Sequence, residues 1–351
     1  MANTDDKAPL KITLEDLAQV TVPEAGIASA PAMAGAKQYG NIAAPGAEPV
    51  VTDEGKSRIY LQGWFYLGVA GLLGALAGWA ICEPSFVDGE GHRWGNLLIM
   101  PFVLALMCLG FGVAESLVER SARKVLWHGS LSLLLGLVLG FVFDRVASIF
   151  FMVALSVVAE LGVQTYSNPA FWIARGLAWM VFGVAGGLVY GLVDRSGKKI
   201  RYGILGGVIG AGLGGMVFDP ISMATKAGAP SRAVGFALFG LATGVAMGIV
   251  ESALKDRWLY VASGPLAGKQ FILYKPLTMI GSSQQGDIYL FKDTSILPQH
   301  ASIELRGAQT FLRAAGPVFV SGQPAKNRAL QSGDRILIGR YAFDFRERHK
   351  N

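Results

Sequence analysis

Residues 171–193 read FWIARGLAWMVFGVAGGLVYGLV, an apolar run charged only at Arg175 and spaced by Gly183, Gly187 and Gly191. At a rise of about 1.5 Å per residue the run is long enough to cross a hydrocarbon core of about 30 Å. Its apolar residues are continuous where a transmembrane barrel strand would alternate, so it reads as a membrane helix. Glycine at every fourth position leaves one helix face bare, and a neighbouring backbone can approach closely there.

Comparable runs occur at residues 60–81, 96–114, 125–143, 146–163, 202–218 and 233–250. Together they would expose more apolar surface than one soluble core can hide. With hydrophobic residues at 52% and charged residues at 16% of 351, the composition argues against an ordinary soluble enzyme. The glycine stripe recurs as Gly206, Gly210 and Gly214, as Gly240, Gly244 and Gly248, and in the shorter pairs Gly74 with Gly78 and Gly136 with Gly140. These faces suit tight helix packing, either within the chain or between subunits of a homo-oligomer.

Charge divides the chain into three parts. Residues 1–58 carry 5 basic and 8 acidic side chains, residues 59–257 carry 14 and 11, and residues 258–351 carry 12 and 6. The first part, to residue 57, is rich in Ala, Pro and Gly and has little apolar area to offset the entropy of ordering, so it is expected to be a disordered tail. A short helix over residues 10–18 is the alternative within it. No apolar run precedes Ile59, so no signal peptide is read there. The three regions expected are therefore 1–57, 58–254 and 255–351.

Basic loops set the orientation. Arg120, Arg123 and Lys124 follow the second apolar run, and Arg195, Lys198, Lys199 and Arg201 follow the fifth. The tendency of such loops to remain cytoplasmic is met by six crossings, with the 146–163 run as an interfacial or re-entrant helix. Seven full crossings are the alternative. The six-crossing reading puts the tail and the last domain in the cytoplasm, under a bacterial inner membrane.

An acid closes each glycine-rich helix: Glu83, Glu115, Asp144, Asp194, Asp219 and Glu251. The recurrence near 30 residues suggests an internal repeat of one helix type. These carboxylates either line an ion or substrate route or sit at the water boundary, where a charge costs little. Asp144 and Asp194 are each followed by Arg, which predicts local pairs with Arg145 and Arg195.

Several motifs fail on context. Gly210, Gly212 and Gly215 match a dinucleotide-binding spacing but lie inside an apolar helix with no preceding strand. Residues 264–269 are one short of a phosphate loop and are followed by Gln270. His92, His128, His300 and His349 are scattered, and Cys82 and Cys108 read as small buried apolar residues. No catalytic residues, cofactor, metal or nucleic-acid partner is expected.

From Trp258 the pattern changes to short strands, expected at 258–261, 270–273, 277–280, 288–290, 301–305, 311–314, 318–320, 335–338 and 342–345. Glycine, proline and serine turns separate them, as in a small all-β sandwich. The segments Gly264 to Lys269 with Phe271 and Leu273, Ile280-Gly281 with Asp287-Ile288, His300 to Ile303, Gly316 to Gly322 and Leu330 to Gly339 resemble the forkhead-associated (FHA) domain family. That resemblance implies a phosphothreonine-recognition sandwich over nearly all of residues 258–346.

It also implies where recognition loops lie and how they depart from the family. Ser282 stands where the family has Arg, Leu297 where it has a phosphate-binding Ser, Ala315 where it has Asn, and Ser321 where Asn is common. Leu297 offers a phosphate neither charge nor a donor. His300, after Gly281, takes the family's loop-organising role, while Ser282, Ser283, Lys292, Ser295, Leu297, Arg313 and Ser321 form a partner-binding set, in which Ser282, Ser283, Ser295, Lys292 and Arg313 are a candidate weak anion or acidic-peptide site. The expected architecture is a multi-domain chain, a polytopic helical membrane bundle followed by the FHA-like domain. The expected function is a non-catalytic membrane scaffold or signalling protein whose module binds a protein partner without phosphothreonine. For the module itself, true phosphothreonine binding and a packing cap for the membrane body stay open, and for the whole chain a channel or transporter regulated by that module is the alternative.

Overall fold

The computed structural model describes residues 59–348, apart from 89, 91, 161, 163–166, 226 and 227. The expected tail, its short helix and His349 lie outside the described residues. Among the described residues, six helices are long and apolar enough to cross a membrane. They are α1 (Gly63–Cys82), α2 (Trp94–Val118), α3 (Ala122–Glu160), α4 (Pro169–Val193), α5 (Gly197–Ala224) and α6 (Ala229–Leu254).

The 125–143 and 146–163 runs are not two helices. They merge into α3, 39 residues long, so no separate interfacial helix follows the third run. The reason is local: Asp144 and Arg145 lie between the runs with no Gly or Pro beside them, and a charged pair does not break a helix as those residues do.

Each helix packs on its sequence neighbours, and α6 returns to pack on α1, closing a six-membered antiparallel ring. Glycines line these contacts. A Cβ added to Gly74 would lie 2.5 Å from the Leu106 carbonyl oxygen on α2, and one on Gly140 would lie 2.9 Å from that of Pro101. On α5, Cβ atoms at Gly206, Gly210 and Gly214 would meet the backbone of α6 at Met247, Thr243 and Phe239. Gly183, Gly187 and Gly191 oppose Gly207, Gly203 and Ile200, whereas Gly240, Gly244 and Gly248 oppose α1 at Gly71, Leu67 and Trp64. Gly78 opposes Val103, and Gly136 opposes Cys108. Every one of these faces meets another helix of the same chain. The helices share one apolar core, in which the buried Trp179 ring of α4 lies 4.7 Å from Phe239 and 6.1 Å from Phe236 of α6.

Two interhelical turns share one construction. Glu119-Arg120-Ser121 ends α2 and Asp194-Arg195-Ser196 ends α4. In each the arginine is left-handed (φ 55° and 53°). The serine N–H reaches back to a carbonyl five residues earlier, Ser121 to Ser116 at 3.0 Å and Ser196 to Gly191 at 3.1 Å. The same serine hydroxyl then accepts from the first turn of the next helix, from Lys124 at 3.4 Å and Lys199 at 3.3 Å.

The C-terminal region holds eleven strands in two sheets. One sheet is ordered β2 (Gln270–Ile272), β1 (Arg257–Ser263), β11 (Tyr341–Glu347), β10 (Arg335–Ile338), β7 (Phe319–Val320), β8 (Gln323–Pro324). The other is ordered β4 (Ile288–Tyr289), β3 (Leu277–Gly281), β5 (Ala301–Arg306), β6 (Gln309–Ala314), β9 (Asn327–Leu330). Both sheets contribute to a single apolar core that includes Leu259, Phe343 and Phe345 from the first and Ile280, Ile303 and Leu312 from the second. The sequence reading missed β8 and β9, because Gln-Pro and Asn-Arg-Ala-Leu lack the β-branched alternation that marks a strand.

Candidate functional site

One end of the β domain is organised around His300. Its side chain is buried; Nδ1 accepts from the Leu297 N–H at 3.1 Å, so Nε2 carries the proton donated to the Pro317 carbonyl at 2.9 Å. The His300 carbonyl accepts from the N–H groups of Ala315 and Gly316 at 2.9 and 3.0 Å, while its own N–H donates to Ile280. One residue thus ties together β3, the β4–β5 loop and the β6–β7 loop. Gly281 is needed for the close approach, since a Cβ there would lie 2.8 Å from the Leu297 carbonyl oxygen.

Within that end, most polar groups are already engaged. The Ser282 hydroxyl donates to the Ile296 carbonyl at 2.8 Å, and the Ser283 hydroxyl accepts from Gln285 N–H at 3.2 Å. Ser295 donates to Asp293 at 2.6 Å. Burial works against ionisation of Asp293, but hydrogen bonds from Ser295 and the Arg340 N–H outweigh it and hold the carboxyl below its ordinary value. Leu297 is 45% exposed, Lys292 is exposed with a left-handed backbone (φ 63°), and Arg313 is exposed on β6 and pairs with Glu304 at 3.2 Å.

Ser321 departs from the expected set. It lies in the β7–β8 turn, where its N–H donates to the Arg335 carbonyl and its hydroxyl to Asp334 at 2.9 Å. That is the Arg335 end of β10, whereas the β4–β5 loop meets the other end through Asp293 and Arg340. A two-residue β7 leaves the turn on the wrong side of the sheet to join the other residues.

A second cluster was not anticipated. Helices α2, α4 and α6 finish at the same end of the ring, so Glu115, Asp194 and Glu251 converge, while Glu83, Asp144 and Asp219 belong to the far end. The converging acids meet cations rather than bulk water. Lys199 donates to Glu115 at 3.0 Å and also to Asp194, and its ammonium stands 4.1 Å from the Tyr190 ring centroid. Lys269, at the entry to β2, is 1% exposed and donates to Glu119 at 2.7 Å; Lys124 reaches Glu119 at 2.9 Å. Asp194 therefore takes Lys199 and, at 3.7 Å, His128 in place of the expected Arg195, whose left-handed turn position directs the pairing to the next helix.

Glu251 accepts from the Tyr190 hydroxyl at 3.1 Å and from the Tyr274 hydroxyl. Burial, with the Glu251 charge beside it, pushes the Tyr274 phenol well above its ordinary value, so this donor stays protonated. The edge strands β2 and β4 thus lie against the helix ends. Lys124 also donates to the Asp287 carbonyl at 2.8 Å, and a cavity of about 1000 Å³ remains between the two parts. This cluster buries Glu251 but leaves the Glu115 and Asp194 side chains 32% and 24% exposed beside the cavity. The signal that could have exposed it is the pair of similar segments ERSARK and DRSGKK at 119–124 and 194–199, in which the final lysine reaches back to the first acid.

At the far end the pairs stay separate. Arg232 holds Glu83 at 2.5 Å and Asp88 at 3.0 Å, Arg175 holds Asp219 at 2.8 Å, and Arg145 holds Asp144 at 2.5 Å. Among the described residues there is no group of three or more His, Cys, Asp and Glu side chains arranged to hold a metal.

The FHA domain profile matches residues 278–339. An oxoglutarate dehydrogenase inhibitor from Corynebacterium efficiens is 31% identical over 90 residues, covering 25% of this chain and 63% of that protein. The glycogen accumulation regulator GarA from Mycolicibacterium smegmatis is also 31% identical over 90 residues, covering 25% of this chain and 56% of that protein. The chain thus spans less than two thirds of the length of these relatives. An FHA domain from Chlamydia trachomatis is similar at 24% identity, with a TM-score of 0.25, over 27% of this chain and 100% of that one. Between the profile match and the two-sheet architecture around His300, the C-terminal region of this chain is an FHA domain.

Proposed function

We propose that the helical ring is a membrane anchor presenting the FHA domain on the cytoplasmic side, where its recognition end binds a protein partner without requiring phosphothreonine. The observation that carries this reading is Leu297, 45% exposed where the family's phosphate-binding serine is expected, beside a Ser282 hydroxyl already committed to Ile296. An apolar side chain there favours an apolar contact over a phosphoryl group. The apolar core shared by the helices supports an anchor rather than a channel, which needs a polar path at mid-membrane. Both basic interhelical loops lie at the end that carries the FHA domain, which supports a cytoplasmic placement.

The test is to place a photo-crosslinking phenylalanine analogue at Leu297 in the full chain and irradiate native membranes. A discrete adduct that persists after phosphatase treatment is expected. An adduct that disappears with phosphatase would make phosphothreonine binding the correct reading.

A further inference from the structure

The FHA domain has lost the cation its family uses, but the membrane ring places two arginines beside the same loops. Arg120 and Arg123 are exposed and belong to the α2–α3 turn. The Arg120 guanidinium lies 5.7 Å from the Phe291 ring centroid, next to exposed Lys292. The Arg123 N–H donates to the Gln284 side chain at 3.3 Å. With the Gln285 amide oxygen turned toward it, the Arg123 guanidinium donates there at 2.8 and 3.2 Å. The β3–β4 loop, which begins at Ser282, and the β4–β5 loop, which carries Leu297, therefore both rest on this turn.

Backbone conformation adds a second observation. Arg120 and Lys292, one on each side of Phe291, both hold left-handed φ values (55° and 63°). Position 120 closes α2 in the left-handed geometry that Arg195 also adopts after α4, so the turn fixes where this cation leaves the helix.

We propose that Arg120, Arg123 and Lys292 form a composite anion site, and that it takes an acidic segment of the protein partner. Guanidinium groups supply planar, paired donors to carboxylate or phosphoryl oxygens, replacing the charge lost at Ser282. The site exists only when the FHA domain is seated on the ring, so membrane anchoring and recognition become one structure. A lipid surface is the competing anion. The loops favour the peptide, because both arginines engage Gln284, Gln285 and Phe291 of the FHA domain.

This inference rests on the proposed partner binding, and its test separates the two. The full chain is placed in phosphatidylcholine nanodiscs and titrated with three fluorescent peptides of one sequence, carrying glutamates, glutamines or a phosphothreonine. Arg120→Gly removes the cation while preserving the left-handed turn, Arg123→Ala removes the second, and Leu297→Glu places a repelling charge on the loop face. The glutamate peptide is expected to bind, more weakly as salt rises. Arg120→Gly should weaken it about tenfold, and Leu297→Glu should abolish binding. Binding lost in Leu297→Glu but unchanged in both arginine variants overturns the composite site alone. No binding of any peptide by the unaltered chain overturns the partner reading with it. Equal affinity for the glutamate and glutamine peptides, or an Arg120→Gly effect confined to discs containing phosphatidylglycerol, also overturns the site.

Discussion

The two ends of the helical ring carry the same sequence feature, an acid following a glycine-rich apolar run, and use it differently. At the far end the acids form isolated pairs: Asp144 with an Arg145 that is 65% exposed, Asp219 with Arg175, Glu83 with Arg232. At the near end Glu115, Glu119 and Asp194 share Lys124, Lys199 and Lys269, the last supplied by the FHA domain. The contrast shows that a helix-end carboxylate has no fixed energetic role. What covers it decides whether its partner is optional or required.

Substitutions at the two ends should therefore differ in size. Lys199→Met removes a buried partner from Glu115 and Asp194, which are themselves 32% and 24% exposed, and should cost about 3 kcal/mol, read as a lower unfolding temperature in detergent or nanodiscs. A loss below about 1 kcal/mol would mean that water enters this end freely. Lys269→Met should cost about 2 kcal/mol, since Glu119 keeps Lys124. Its signature is local: faster hydrogen exchange over residues 270–274 and 284–287, with β5 and β6 still protected. Unchanged exchange at those edges would remove the ion pair from any part in seating the domain. Arg145→Ala, at the exposed far end, should change stability by less than about 1 kcal/mol.

Asp293 gives a smaller effect with a defined pH dependence. Its folded-state carboxyl sits below the ordinary value, so folding is favoured by the ionised form. That contribution is complete above the ordinary aspartate range near about pH 4 and is lost as pH falls through the depressed folded value. Asp293→Asn should consequently be less stable than the unaltered chain at neutral pH and approach it in acid. Parallel stability curves down to low pH would show that the loop hydrogen bonds do not favour the carboxylate.

Legibility from sequence followed the range of the interactions. The helices at 171–193 and 202–218, the β3–β5 and β10–β11 strands and the FHA scaffold around His300 were readable because each rests on local periodicity or on a motif held within a short stretch. The single helix α3 was misread because two apolar runs flanking Asp144-Arg145 look the same whether the chain turns there or continues. Ser321 was misplaced because a motif position does not reveal which end of a two-residue strand it occupies. The pairing of Asp194 was missed because the left-handed Arg195 sends the chain round to Lys199.

Membrane helices, bare glycine faces and a β-rich end are written into residue pattern, since spacing of apolar side chains and the absence of a Cβ act over one or two turns of chain. Ring closure between α1 and α6, the sorting of acids to two ends and the seating of the FHA edge on the α2–α3 turn are not. They depend on contacts such as Lys269 with Glu119, 150 residues apart, and on which groups the assembled fold removes from water. No local pattern encodes that removal, because burial belongs to the packed molecule and not to any segment of it.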